Sequence, residues 1–240
     1  REWGFSAIVL GCGAWDDRKM GVIGEDEGVG KGVIYQNPFI YWFNHHEEKS
    51  YDGERYDIQD GALVVGGGLA SIDVVKAINL ELAAAKLRER GIECDVCAME
   101  HKGLAKTLDA HGLTMDDLGL QGCTLVYRRS ASEMPVAQYK PGADEESRKK
   151  TEAVREKLMG LTQTKYLNKF SPNTLPKEVV FDDDGNVCGL RVIKTRTEGR
   201  KVIELEGTEH VLETTQIYSS IGSVPRPIPG LPMRGDFYEY

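Results

Sequence analysis

The sequence predicts an α/β fold: a three-layer, Rossmann-like nucleotide-binding domain with a parallel sheet and an antiparallel β-meander attached. Three features predict it. Gly61-Ala-Leu-Val-Val65 is an apolar run of buried-strand length, followed by Gly66-Gly67-Gly68 and by an amphipathic helix from Ile72 to Arg90. Cys123-Thr-Leu-Val-Tyr127 and Thr214 to Ile221 are further buried strands. From Glu178 to Glu206, β-rich runs alternate with turn residues, as hairpins do.

The strand, turn and helix at 61–90 form the opening of a dinucleotide-binding βαβ unit. Gly66 permits the turn, Gly68 lets a pyrophosphate approach the backbone, and Ser71 is small enough for the helix to lie close on the strand. The free N–H groups of the helix N-terminus then face the phosphates. Gly66, Gly67, Gly68, Leu69, Ala70 and Ser71 are therefore the candidate phosphate site. The competing explanation of the pattern is a glycine-rich connection that only packs.

Composition limits what such a site can serve. A chain of 240 residues, 40% hydrophobic and 28% charged, buries one good core or two small ones. A net charge of −8, with Lys and Arg scattered among more acids, argues against a nucleic-acid partner. No stretch approaches a membrane span, and no signal peptide is expected. Five cysteines, an odd number spread from Cys12 to Cys188, point to a reducing, cytoplasmic setting rather than a disulfide framework. The missing initiator Met and the abrupt end at Tyr240 are expected of a piece of a longer protein.

Taken in order, Phe5-Ser-Ala-Ile-Val-Leu10 is predicted as a buried strand running into the turn Gly11-Cys12-Gly13-Ala-Trp15. No helix follows, because Asp16 to Gly32 is polar and glycine-rich, so the neighbours of this strand are expected outside the chain. Pro38 to Phe43 is aromatic-rich and Asn44 to Asp60 polar. His45-His46-Glu47-Glu48 invites a metal-site reading, but adjacent side chains point in different directions and no second ligand pair follows at zinc-like spacing. A solvated linker face is the expectation there, and no metal is predicted.

Two stretches then compete for the second strand of the unit, with opposite consequences for the cofactor. Ile92-Glu-Cys-Asp-Val-Cys-Ala98 is followed by Glu100, which would bind a ribose 2′-hydroxyl and favour NAD. Cys123 to Tyr127 runs into Arg128-Arg129, whose guanidinium groups would clamp a 2′-phosphate and favour NADP. Spacing favours the first and residue chemistry the second.

Gly66-Gly-Gly-Leu-Ala-Ser-Ile-Asp73, Leu125-Val-Tyr-Arg-Arg-Ser-Ala-Ser-Glu-Met-Pro135 and Ile221-Gly-Ser-Val-Pro225 resemble the pyridine-nucleotide half of the glutamate synthase small subunit and its NADPH-dependent flavoprotein relatives. The likeness runs in order from about Phe5 to Pro232, and Tyr-Arg-Arg followed closely by Glu-Met-Pro is its most specific part. It implies that the cofactor is NADP(H), with its 2′-phosphate on Arg128 and Arg129. It implies too that hydride passes to FAD, held only in the full-length protein, from a nicotinamide near Gly11, Cys12, Gly13, Ile221 and Gly222. The partners it implies are an FAD domain of the same chain and an electron-accepting subunit. Two features depart from the family: residues 91–122 look like an insertion, and Leu69 and Lys76 stand where Asn and Arg are frequent.

The insertion is predicted to be mostly helical, over 103–111 and again from Thr114. Its Cys94-Asp-Val-Cys97 invites a redox-dithiol reading, but thioredoxin-reductase-like relatives place their pair before the glycine motif, and on a strand these thiols would point to opposite faces. Buried small hydrophobes are the expectation. Asp144 to Leu158 is a charged amphipathic helix, Thr164 to Phe170 the third strand, and Asp182-Asp-Asp-Gly-Asn186 a hairpin turn lacking the alternating ligands of a calcium loop. The resulting division gives 1–15 and 220–240 to an FAD domain, 16–59 to a crossover, and 60–219 to the NADP(H)-binding domain. An NADPH-dependent, FAD-reducing oxidoreductase is the functional expectation. A catalytically idle nucleotide-binding regulatory module and an NAD-preferring relative using Glu100 are the alternatives; a free-standing dehydrogenase is disfavoured because no Tyr-x-x-x-Lys occurs. No catalytic side chain is assigned, because the reactive atoms belong to the cofactors.

Overall fold

A computed structural model describes residue 4 and residues 6–239 of the chain. In order, the elements are β1 (Asp16–Asp17), α1 (Glu25–Gly28), β2 (Val33–Tyr35), α2 (Gln36–His45), β3 (Leu63–Gly66), α3 (Leu69–Glu89), α4 (Val96–Lys102), α5 (Leu104–Asp109), β4 (Thr124–Val126) and α6 (Glu145–Tyr166). They continue with β5 (Lys169–Ser171), β6 (Thr174–Phe181), β7 (Val187–Glu198), β8 (Lys201–Glu204), β9 (His210–Glu213), β10 (Ile217–Ser220), β11 (Ser223–Val224), β12 (Met233–Arg234) and β13 (Phe237–Tyr238).

Five strands form a parallel sheet in the order β2-β10-β3-β4-β5. Alternation along each strand sends neighbouring side chains to opposite faces. Val64, Leu125 and Tyr218 enter a core with the helices, whereas Leu63, Val65, Val126 and Ile217 enter a second core with Val179, Val187, Leu190 and Val192 of the meander. The three layers are thus helices, parallel sheet and meander. The meander is built on β7, which pairs antiparallel with β6, β8 and β9. Buried Asn79 of α3 locks the helical layer to the sheet: its Oδ1 accepts from the Cys123 backbone N–H at 2.9 Å, and its Nδ2 donates to the Tyr166 carbonyl at 2.9 Å.

Several local expectations are corrected. Phe5 lies outside the described residues, and Ile8, Val9 and Leu10 form no strand; Ile8 and Val9 are 81% and 92% exposed. Within 16–59 the structure adds β2, an edge strand of the parallel sheet, and α2, which buries Phe39 and Trp42 in the helix-side core. Pro38 falls in the first turn of α2, where its missing N–H costs no intrahelical bond. The 92–98 stretch is no strand, because Asp95 caps α4 by accepting from the backbone N–H groups of Cys97 and Ala98. Likewise α6 continues through Tyr166 and ends at Leu167 in the left-handed region, so the third strand β5 begins only at Lys169. At the 182–186 turn, Asp182 Oδ1 accepts from the N–H groups of Asp184 and Asn186.

Candidate functional site

A cleft of about 640 Å³ opens where β3, β4 and β10 end. β3 is followed in sequence by β4 on one side and flanked by the late strand β10 on the other, and such a switch point leaves a crevice beyond the carboxyl ends of the strands. Gly66 to Ala70 form its floor, Val126 to Arg128 one wall, and Ser220 to Gly222 the other.

The glycines of the floor serve different needs. A Cβ on Gly66 would lie 2.2 Å from the Ser220 carbonyl oxygen, and one on Gly67 2.2 Å from the Tyr127 ring. Neither has a left-handed φ, so close approach of neighbours, not turn conformation, requires glycine at Gly66. At Gly68 no heavy atom lies within 4 Å of a Cβ position, which leaves the backbone open to the cleft. Gly68 is also the N-cap residue of α3, and no side chain caps that helix. Ser71 is fully buried and its Oγ donates to the Gly68 carbonyl at 2.6 Å, supporting the turn from behind. The first N–H groups of a 21-residue helix are left to face an anion.

The two arginines predicted as a pair separate. Arg128 is exposed and lines the cleft, and its carbonyl is held by the Thr195 hydroxyl at 2.9 Å. Among the described residues its guanidinium has no ion pair. Arg129 is half-buried and already engaged, Nη1 donating to Glu133 Oε1 at 3.2 Å and Nη2 to the Arg200 carbonyl at 2.6 Å. Burial pushes the Glu133 carboxyl up, but hydrogen bonds from Ser130, Thr197 and Arg129 outweigh it and hold the group below its usual range.

Ile221 and Gly222 join the cleft, whereas Gly11, Cys12 and Gly13 are exposed and are not among its walls. Glu100 is also elsewhere, on α4, with its carboxylate 2.8 Å from Lys76 Nζ, which meets Asp73 at the same distance. Of the His-His-Glu-Glu run, His45 meets Glu48 at 2.7 Å, while His46 turns inward to the Trp42 and Phe43 carbonyls and to Glu81. No group of three metal-ligating side chains is gathered among the described residues.

One wall residue escaped the sequence analysis. Arg18 lines the cleft because β1 pairs with β11, its backbone N–H donating to the Gly222 carbonyl at 3.0 Å. Its guanidinium meets Asp236 at 2.7 Å. No periodicity or motif in the polar 16–32 stretch announces it; only the long-range strand pair does.

No protein-family model matches the chain. The β subunit of the NADPH-Fe(3+) oxidoreductase of Geobacter sulfurreducens is 26% identical over 229 residues, 92% of this chain and 24% of that protein. The mitochondrial NADPH:adrenodoxin oxidoreductase of Arabidopsis thaliana is 23% identical over 257 residues, 95% of this chain and 51% of that protein. Its named relatives are NADPH oxidoreductases. The chain therefore spans about a quarter to a half of their length. Among solved structures, FprA from Mycobacterium tuberculosis in complex with NADPH matches with a TM-score of 0.54 at 18% identity, covering 93% of this chain and 51% of that one. FprA and this chain share the fold.

Proposed function

We propose that the chain binds NADP(H) in the β3–α3 cleft and, in the full-length protein, presents it to FAD carried by another domain of the same chain. The observation that carries this is the convergence of an uncapped helix N-terminus, an open glycine backbone and an exposed guanidinium on one cleft. Those residues fit a dinucleotide phosphorylated at the 2′ position: Gly68 and the α3 N-terminus take the pyrophosphate, and Arg128 takes the 2′-phosphate. The nicotinamide supplies the hydride and the flavin accepts it; the protein binds and orients. Ile221 and Gly222 form the wall for the nicotinamide half. The names of the curated relatives, both NADPH oxidoreductases, support the choice of nucleotide. Tyr127-Arg128-Arg129 with Glu133-Met134-Pro135 supports the narrower likeness to the glutamate synthase small subunit. In this proposal 60–219 bind NADP(H), 1–15 and 220–240 belong to the FAD domain, and an electron-accepting subunit is the onward partner. Among the described residues no helix is long and apolar enough to cross a membrane. A cytoplasmic setting belongs to the same proposal.

Titration of the full-length protein and its Arg128→Ala variant with NADPH and NADH tests the reading. A charge-assisted contact contributes about 1.5–3 kcal/mol, so the variant should bind NADPH about 10- to 100-fold more weakly and NADH almost unchanged. Equal affinity of the parent for both nucleotides, or an equal loss for both in the variant, overturns it.

A further inference from the structure

The wall at Ile221–Gly222 is held from outside the sheet. β4 and β10 lie on opposite sides of β3. With a 2′-phosphate at Arg128, after β4, and the pyrophosphate over the α3 N-terminus, the nicotinamide half falls over the end of β10. There Gly222 has φ 107°, and its backbone is held by the Arg18 N–H at its carbonyl and by the β1–β11 ladder, two residue pairs long.

The first turn of α2 supplies a second constraint, made by side chains. Gln36 is only 6% exposed, and both ends of its amide are used. Its Nε2 donates to Ser223 Oγ at 3.1 Å, and its Oε1 accepts from the hydroxyl of buried Ser220. One side chain thus brackets the two residues between those serines. Asn37 reinforces the bracket: its Nδ2 donates to the same Ser223 Oγ at 3.0 Å, and its backbone N–H donates to the Asp17 carboxylate at 3.2 Å. Asp17 closes the network by pairing with Ser223 in the β1–β11 ladder. A buried amide with both ends satisfied fixes the position of what it holds, because moving either serine leaves a buried polar group unpaired.

We infer that Gln36 is a positioning residue for the nicotinamide half of the bound nucleotide, acting through Ser220 and Ser223 on the Ile221–Gly222 wall. This rests on the NADP(H) reading above. The effect should therefore be confined to ligands that reach this wall.

The test compares NADPH with adenosine 2′,5′-bisphosphate, which has the 2′-phosphate but no nicotinamide, on the full-length protein. Gln36→Leu removes both hydrogen bonds at similar size. NADPH should bind about tenfold more weakly, while the bisphosphate changes by less than about twofold. Equal losses for the two ligands mean a general structural role and overturn the inference, as does no loss for either. If Gln36→Leu does not fold, Ser223→Ala removes one end of the bracket and is judged by the same contrast: a loss confined to NADPH supports the inference, and its absence overturns it. A parent protein that binds neither ligand sinks the NADP(H) reading first and this inference with it, whereas a parent that binds both, with unselective variants, sinks this inference alone.

Discussion

Two glycine turns follow apolar runs in this chain, and they end differently. Leu63-Val64-Val65 leads into Gly66-Gly67-Gly68 and is buried on both faces, with β10 and β4 completing its ladders. Ile8-Val9-Leu10 leads into Gly11-Cys12-Gly13 and is exposed along its length, without a strand partner among the described residues. The difference lies in the flanks. A glycine turn presents its N–H groups usefully only when a paired strand delivers it and a packed helix carries it away, because only then are its other neighbours fixed. The first turn has Ser71 beneath it, Tyr127 beside it and Ser220 across from it; the second has open space around Gly11.

The sharpest way to break this comparison is to put the same methyl group in both places. In Gly66→Ala the new Cβ meets the Ser220 carbonyl oxygen and carbon at 2.2 and 2.9 Å. These are backbone atoms of a paired strand, so β10 and β3 must part locally. A loss of about 1–3 kcal/mol is expected from such overpacking, with nucleotide binding weakened more than stability because the floor itself is displaced. In Gly11→Ala the Cβ meets nothing within 4 Å, and the change should stay within about 0.5 kcal/mol. Denaturant midpoints of the two variants decide it. Similar midpoints would mean that the tight contacts around Gly66 relax freely and that its glycine is dispensable.

A smaller effect separates the two arginines of the cleft wall. Arg129 is tied to Glu133 and to the Arg200 carbonyl, which fastens the 129–133 turn to the meander end. Arg129→Ala should therefore lower stability by about 1 kcal/mol and weaken NADPH and NADH by similar, few-fold amounts. Arg128→Ala should leave the unfolding midpoint in place and change only the nucleotide that carries a 2′-phosphate. Paired titrations and melts of both variants separate the roles. A selective NADPH loss in Arg129→Ala would return that residue to the phosphate site.

The same contrast explains what could be read in the sequence. β3, α3, β4 and the β6–β7 hairpin were legible because each is either a run with clear periodicity or one bounded by turn residues. β2 was not, since Val33-Ile34-Tyr35 is three residues long inside a glycine-rich stretch and becomes a strand only by lying beside β10. α2 was hidden by aromatic residues and by Pro38 in its first turn, and Phe39 and Trp42 show their helical spacing only once the sheet is there to cover them. The 5–10 run had the composition of a strand but no described neighbour to pair with. Of the site, the floor and Arg128 follow from motif and resemblance, whereas Arg18 reaches the cleft, and Gln36 reaches Ser220 in its wall, through contacts 204 and 184 residues apart in sequence. Side-chain spacing carries no signal of that kind.

The smallest expected effect concerns another motif judged by spacing, Cys94-x-x-Cys97. A reactive dithiol needs a thiolate, and thiolates form where a helix N-terminus or a cation lowers the thiol pKa. Cys97 does sit in the first turn of α4, but the capping Asp95 carboxylate already takes the N–H groups of Cys97 and Ala98. Its thiol is pushed up, first by burial and then by the charges of Asp95 and Glu100. Cys94 is pushed up as well, chiefly by burial; its Sγ donates to the Ala84 carbonyl at 3.6 Å and it packs against the helix-side core. Both shifts keep the thiols protonated at neutral pH, where attack on a disulfide or a flavin needs the thiolate. Replacing both with Ser should leave NADPH-dependent reduction by the full-length protein within a few-fold of the parent. Cys94→Ser alone should account for whatever stability is lost, because it is the more deeply packed of the two. A several-hundredfold loss of reduction with the melting transition unchanged would restore the dithiol, and would make 91–122 part of the reaction path.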